Sequence, residues 1–127
     1  MRTLNTLLSV MGLSALIALP VADATDYTYL EMSGKLTLTQ VYPNNPEYYQ
    51  VDIFTSTADG NTCEYSGKGY LANNILSCVS DDDSGSDVYI EVIAPEVLRV
   101  INMPAENCGL KAVATGFYAL FPAQNVQ

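Results

Sequence analysis

Few side chains in this 127-residue chain are equipped for chemistry. It has no histidine, three cysteines (Cys63, Cys78 and Cys108) and a formal charge of -9. Without imidazole, neither a Ser-His-Asp triad nor a Cys-His pair can be assembled. A nucleophilic Cys78 would need a neighbouring base and a means of lowering its thiol pKa. The flanking Leu76-Ser77 and Val79-Ser80 supply neither, so Cys78 reads as a structural thiol. Paired carboxylates can hydrolyse a glycosidic bond, but Glu64, Glu91 and Glu96 share no spacing on a common element and read as solvated surface acids. Asp81, Asp83 and Asp87 alternate around Gly85, and carboxylate oxygens suit calcium. The stretch departs from a calcium-binding helix-loop-helix because Gly85 is one place early, Val92 stands where the distal acid belongs, and no helix flanks it. An exposed acidic hairpin loop is the favoured reading, with a nonstandard calcium site as the alternative. The expectation is a binding protein, not an enzyme, with no cofactor.

Nine tyrosines change what the surface can offer. Tyrosine brings rigid area and a polar tip to an interface. Tyr65, Lys68 and Tyr70, with the acidic loop, are therefore the candidate contacts for a partner. These residues lie in the stretch around which the chain is organised, a strand over Thr62–Leu71, a turn at Asn73-Asn74, and a second strand over Ile75–Val79. Alternation puts Cys63, Tyr65, Gly67, Gly69 and Leu71 on one face and Glu64, Ser66, Lys68 and Tyr70 on the other. Two glycines on one face predict a bend, a bulge or a close crossing, since glycine has no side chain to pack. No nucleotide-binding loop has that spacing, and no helix follows.

The other elements are also strands. Tyr27–Glu31 reads as an extended lead-in, Gly34–Val41 as a strand with Leu36 and Leu38 inward, and Tyr42–Pro46 as a loop because two prolines restrict the backbone and remove donors. Tyr48–Thr55 places Tyr49, Val51 and Ile53 on one face, and Asp59-Gly60-Asn61 signals a turn. Val88–Val92 turns Val88, Ile90 and Val92 inward; Val97–Ile101 follows the break at Pro95, Met103–Asn107 is a loop, and Lys111–Tyr118 is the last strand. No segment has the length and 3.6-residue periodicity of an amphipathic helix. Six or seven strands in one all-β domain result. A curved antiparallel sheet closing into a barrel hides its edges and is preferred over a sandwich.

Residues 1–24 have the layout of an export signal: Arg2, the apolar stretch Leu7–Leu19, then Ala22-Asp23-Ala24. Cleavage near Thr25 leaves roughly 100 residues, enough for a single domain with a modest core. The apolar stretch is short for a membrane span, so stable membrane insertion is not expected. Loss of Arg2 and Asp23 together leaves the charge at -9. Such a surface disfavours nucleic acid and suits a basic protein partner or simple solubility.

Export makes a disulfide expected, and three cysteines leave one thiol over. A hairpin turning near Asn73 sets Cys78 opposite a position close to Lys68, too far along the strand from Cys63 for a local bridge. Long-range pairings are favoured; a bridge from Cys63 to Cys108 would contribute about 3 to 4 kcal/mol through the unfolded state. The arrangement Cys63-Glu64-Tyr65-Ser66-Gly67, Leu76-Ser77-Cys78, Val88-Tyr89-Ile90-Glu91-Val92, Cys108-Gly109 and Gly116-Phe117-Tyr118 resembles small secreted Gram-negative proteins of calycin-like, lysozyme-inhibitor-like type. That resemblance covers roughly residues 62–118. It implies a calycin-like barrel, pairing of Cys63 with Cys108 and a free Cys78. Members of that type are largely of unknown role; export, the acidic balance, nine tyrosines and the lack of a coherent catalytic set point to a periplasmic or secreted protein that binds a partner, with inhibition of a basic cell-wall hydrolase such as lysozyme as the concrete version. A periplasmic immunity protein, or a structural or adhesion component of the envelope, is the alternative.

Overall fold

The computed structural model describes Leu19, residues 24–82 and residues 87–121. The expected export signal lies outside the described residues apart from Leu19 and Ala24, and Leu19 is buried against the core. Eight strands follow one another around a closed antiparallel barrel: β1 (Thr25–Tyr29), β2 (Ser33–Tyr42), β3 (Asn45–Ser56), β4 (Thr62–Ala72), β5 (Ile75–Ser80), β6 (Asp87–Ala94), β7 (Val97–Val100) and β8 (Gly116–Ala119). Closure is made where Thr28 and Tyr29 of β1 pair with Ala119 and Tyr118 of β8.

Alternation explains the core. Leu36 and Leu38, Val51 and Ile53, Val88, Ile90 and Val92, and Leu98 and Val100 all point inward and are buried. Lys35 on β2 and Arg99 on β7 alternate with them and are exposed, as are Glu64 and Lys68 on β4. An eight-stranded barrel is just wide enough for its side chains to fill, and Tyr27, Tyr49, Tyr65 and Tyr118 supply the bulk. A membrane barrel carries its apolar residues outward; here the apolar rows face in. No helix among the described residues is long and apolar enough to cross a membrane.

Two glycines serve this barrel in different ways. Tyr65 lies over Gly67, where an added Cβ would collide with the phenol oxygen and stand 2.5 Å from the Val79 carbonyl oxygen. Gly116 opens β8 at φ 117°, a left-handed value that glycine adopts without strain.

The structure corrects three expectations. The lead-in is a full strand, because Thr25–Thr28 pair with Leu38–Lys35, which brings the count to eight. Tyr42–Pro46 is not a loop: Tyr42 pairs with Asn45 across a two-residue turn at Pro43-Asn44, and a register irregularity at Val41 accommodates Pro46 on the exposed side. The last strand is confined to Gly116–Ala119, and Lys111 adopts φ 67°, which no strand tolerates.

Residues 101–115 instead form an irregular cap over one end of the barrel, including a single 3-10 turn at Ala105–Asn107. Irregular backbone laid against a core needs partners for its carbonyls. Three barrel hydroxyls provide them: Thr55 donates to Val113 O at 2.7 Å, Tyr118 to Ala114 O at 2.7 Å and Tyr29 to Thr115 O at 2.6 Å. The cap also occupies the part of β4 that β5 leaves free. Cys108 bridges opposite Cys63 with a Cα–Cα distance of 4.0 Å and is disulfide-bonded to it. Gly109 N–H donates to Thr62 O at 2.7 Å, and Asn107 Nδ2 donates to Glu64 O at 2.8 Å. A disulfide here fits folding in an oxidising, extracytoplasmic compartment.

A candidate binding surface

Residues of β4 divide between the inside and the outside of the barrel. Tyr65 points inward and is 3% exposed, so it is withdrawn from the outer contact surface on which it was expected. Burial pushes its phenol well above the ordinary range, with smaller contributions from Cys78, Asp87, Asp81 and Asp82. Lys68 and Tyr70 point outward. The alternation of the sequence already held this division, since Tyr65 falls on the opposite face from the other two.

Around Tyr70 an aromatic row continues onto neighbouring strands. The register sets Tyr48 opposite Tyr70, Tyr70 opposite Ser77, and Ser77 opposite Tyr89. Tyr48 and Tyr70 have ring centroids 5.0 Å apart, and Tyr42 meets Tyr48 edge to face at 5.9 Å. With Val41, Lys68 and Val79 these rings border a shallow depression of about 520 Å³. Val79 is 57% exposed and Tyr70 46% exposed, so the row forms a contiguous, partly apolar surface. Tyr42 and Tyr48 were missed as partners of Tyr70. The signal was present: a hairpin centred on Asp59 brings position 48 opposite position 70, and the Thr57–Asn61 turn is centred there, with Thr57 N–H donating to Asn61 O at 2.8 Å.

Carboxylates edge the row on one side. Asp87 lies opposite Val79, which lies opposite Lys68. Asp81 accepts from Gln50 Nε2 at 2.8 Å and from Lys68 Nζ at 3.1 Å. Those two bonds, Gln50 first, hold its carboxyl below the ordinary aspartate value. Asp82 accepts from the Ser80 hydroxyl at 2.9 Å.

The other chemical candidates are dispersed. Cys78 is buried, unpaired and pushed up to about 12 by burial, which keeps it a thiol and not a thiolate. Glu91 is paired with Arg99 at 2.9 Å, Glu64 lies on β4, and Glu96 lies in the β6–β7 turn. Of the proposed calcium loop, Asp83 and Gly85 fall outside the described residues, and Asp81 is occupied by the Lys68 ammonium. Among the described residues no group of three His, Cys, Asp or Glu side chains is placed to hold a metal ion. Comparison with protein-family models, curated proteins and solved structures finds no match to this chain.

Proposed function

We propose that this barrel is an exported protein-binding domain whose contact surface is the outer tyrosine face and whose partner is basic. A cell-wall hydrolase of the lysozyme type, held in an inhibitory complex, is the concrete version. The observation that supports it is the juxtaposition of the exposed Tyr42, Tyr48 and Tyr70 with Asp81, bonded to Lys68, and with Asp87, opposite Val79, on a chain of charge -9. Aromatic side chains surrounded by charge are the composition of an interface centre with a polar rim. Carboxylates at that rim would raise the association rate with a cationic surface.

Direct binding tests this reading. The protein is titrated against a panel of lysozymes at low and moderate salt, and loss of hydrolase activity is followed in parallel. Binding to at least one member is expected, weakened about tenfold or more by Tyr48→Ala with Tyr70→Ala. Absence of affinity for every member would reject the inhibitor version.

A further inference from the structure

The outer tyrosine row has a gap in it. Tyr70 and Tyr89 lie on either side of Ser77 in cross-strand register, so two strand spacings, about 9.5 Å, separate their backbones. Tyr70 leans on Tyr48, with ring centroids 5.0 Å apart, and among the described residues no ring contact joins it to Tyr89. Tyr89 is fixed at the backbone, where its N–H donates to Asn102 Oδ1 at 2.9 Å and its carbonyl accepts from Ile101 N–H at 2.8 Å. The Tyr70 and Tyr89 side chains are both exposed, and so is Ser77 between them. Two tyrosines with a small polar residue between them form a slot open to solvent. A flat group touching a ring on each side needs about 7 to 8 Å between the ring planes, which the separation of the two strands admits.

Electrostatics select the group. The face of a phenol ring is negative and attracts a cation placed over it. Asp87 stands two positions before Tyr89 on the same outer face of β6. The ion pairs among the described residues engage Asp26, Asp81 and Glu91, and none engages Asp87. Lys68, across Val79 from Asp87, is drawn the other way. Its ammonium lies 3.1 Å from Asp81, which is tied to Ser66 O, on the side of Lys68 away from Tyr70. The slot is thus flanked by an unneutralised carboxylate, and the chain's own lysine is held off it. A guanidinium is flat, weakly hydrated and stacks on aromatic faces, whereas an ammonium is compact and strongly hydrated. A neutral sugar ring fits the same slot without drawing on the charge.

We propose that the slot between Tyr70 and Tyr89 receives an arginine side chain of the basic partner, its guanidinium held between the two rings over the Ser77 hydroxyl and drawn there by the field of Asp87. This deepens the reading of a basic protein partner and rests on it. The test is an amide NMR titration of the intact protein with N-acetylargininamide and, separately, with N-acetyllysinamide and with tri-N-acetylchitotriose. Saturable shifts at Ser77, Val79 and Tyr89 are expected with the arginine probe, at several-fold higher affinity than with the lysine one. Tyr89→Leu should weaken the arginine probe several-fold, while Tyr89→Phe, which keeps the ring, should restore it. Asp87→Asn should weaken it at low salt and leave it unchanged at high salt, and Phe54→Leu, on a separate part of the surface, should have no effect. Absence of saturable shifts overturns the proposal, as does a Tyr89→Leu variant that binds like the parent protein. Equal affinity for the arginine and lysine probes overturns it too, and a response to the chitotriose with none to arginine would assign the slot to a glycan instead. Failure of every lysozyme to bind would reject that partner and leave the titration result standing. Lysozyme binding unaffected by Tyr89→Leu would keep the tyrosine face and reject the slot.

Discussion

A phenol enclosed by a barrel has no solvent to support its anion, and this chain encloses several. Burial pushes Tyr27 and Tyr29 up to about 12, with Tyr49 and Glu96 adding to the first and Glu31 to the second. Tyr49, Tyr65 and Tyr118 are raised for the same leading reason. In the unfolded chain each phenol titrates near about 10. Above that pH the folded state holds more protons than the unfolded one, so stability falls as pH rises. The contribution is intact below pH about 10 and is lost progressively through about 12. Urea midpoints measured in steps from neutral pH into that window should hold steady and then decline with an unchanged slope; a flat profile to the upper end would show that these phenols reach water. At this scale the sequence was legible wherever period two governs, as with Leu36, Val51 and Ile90. The role of Gly67 was legible only in kind: two glycines on one face predicted a close approach, but Tyr65 as the group that fills the space depends on which way its ring turns.

The strands and the cap separate what local pattern can encode from what it cannot. Ala112, Ala114 and Gly116 alternate with Val113, Thr115 and Phe117 as a strand would, yet only Gly116–Ala119 finds partners on β7 and β1. The residues before them are held by hydroxyls from β1, β3 and β8, contacts across 58 and 86 positions for Thr55 and Tyr29 that no periodicity announces. The hairpin at Asn73-Asn74 shows the opposite case. Both residues have positive φ, 54° and 64°, the geometry that asparagine tolerates in a two-residue turn. The cap supports a quantitative expectation. Tyr118→Phe removes the donor to the buried Ala114 carbonyl and should cost about 1 to 3 kcal/mol. Replacing Cys63 and Cys108 together by alanine releases a closure spanning 45 positions and should cost about 4 kcal/mol. Because both changes loosen the same segment, the triple variant should lose less than the two losses added together. Chemical denaturation of the three variants checks this, and strict additivity would show that the disulfide and the Tyr118 hydroxyl anchor the cap independently.

Seen as a whole molecule, the barrel has an interior occupied by its own side chains, and closure removes the edge to which a partner strand could add. Charge and tyrosine content were readable directly. The Tyr48–Tyr70 pair was legible from the Asp59 turn, but the addition of Tyr42 was not, because it needs the register of a second hairpin, whose two prolines read as a loop. If a basic partner docks there, two contributions should separate under salt. Carboxylates at the rim act over a Debye length of about 8 Å at physiological ionic strength, so raising salt should lower the association rate steeply and the dissociation rate little. Aromatic contacts at the centre are short-ranged, and Tyr70→Ala should therefore raise the dissociation rate by about tenfold or more at every salt concentration. Asp87→Asn, opposite Val79 and clear of the cap, should reduce the salt sensitivity of association and leave dissociation nearly unchanged. Surface-immobilised kinetics across a salt series would read all three. An association rate indifferent to salt, with Asp87→Asn behaving as the parent protein, would mean that the acidic rim does not face the partner and that the negative charge serves the molecule in another way.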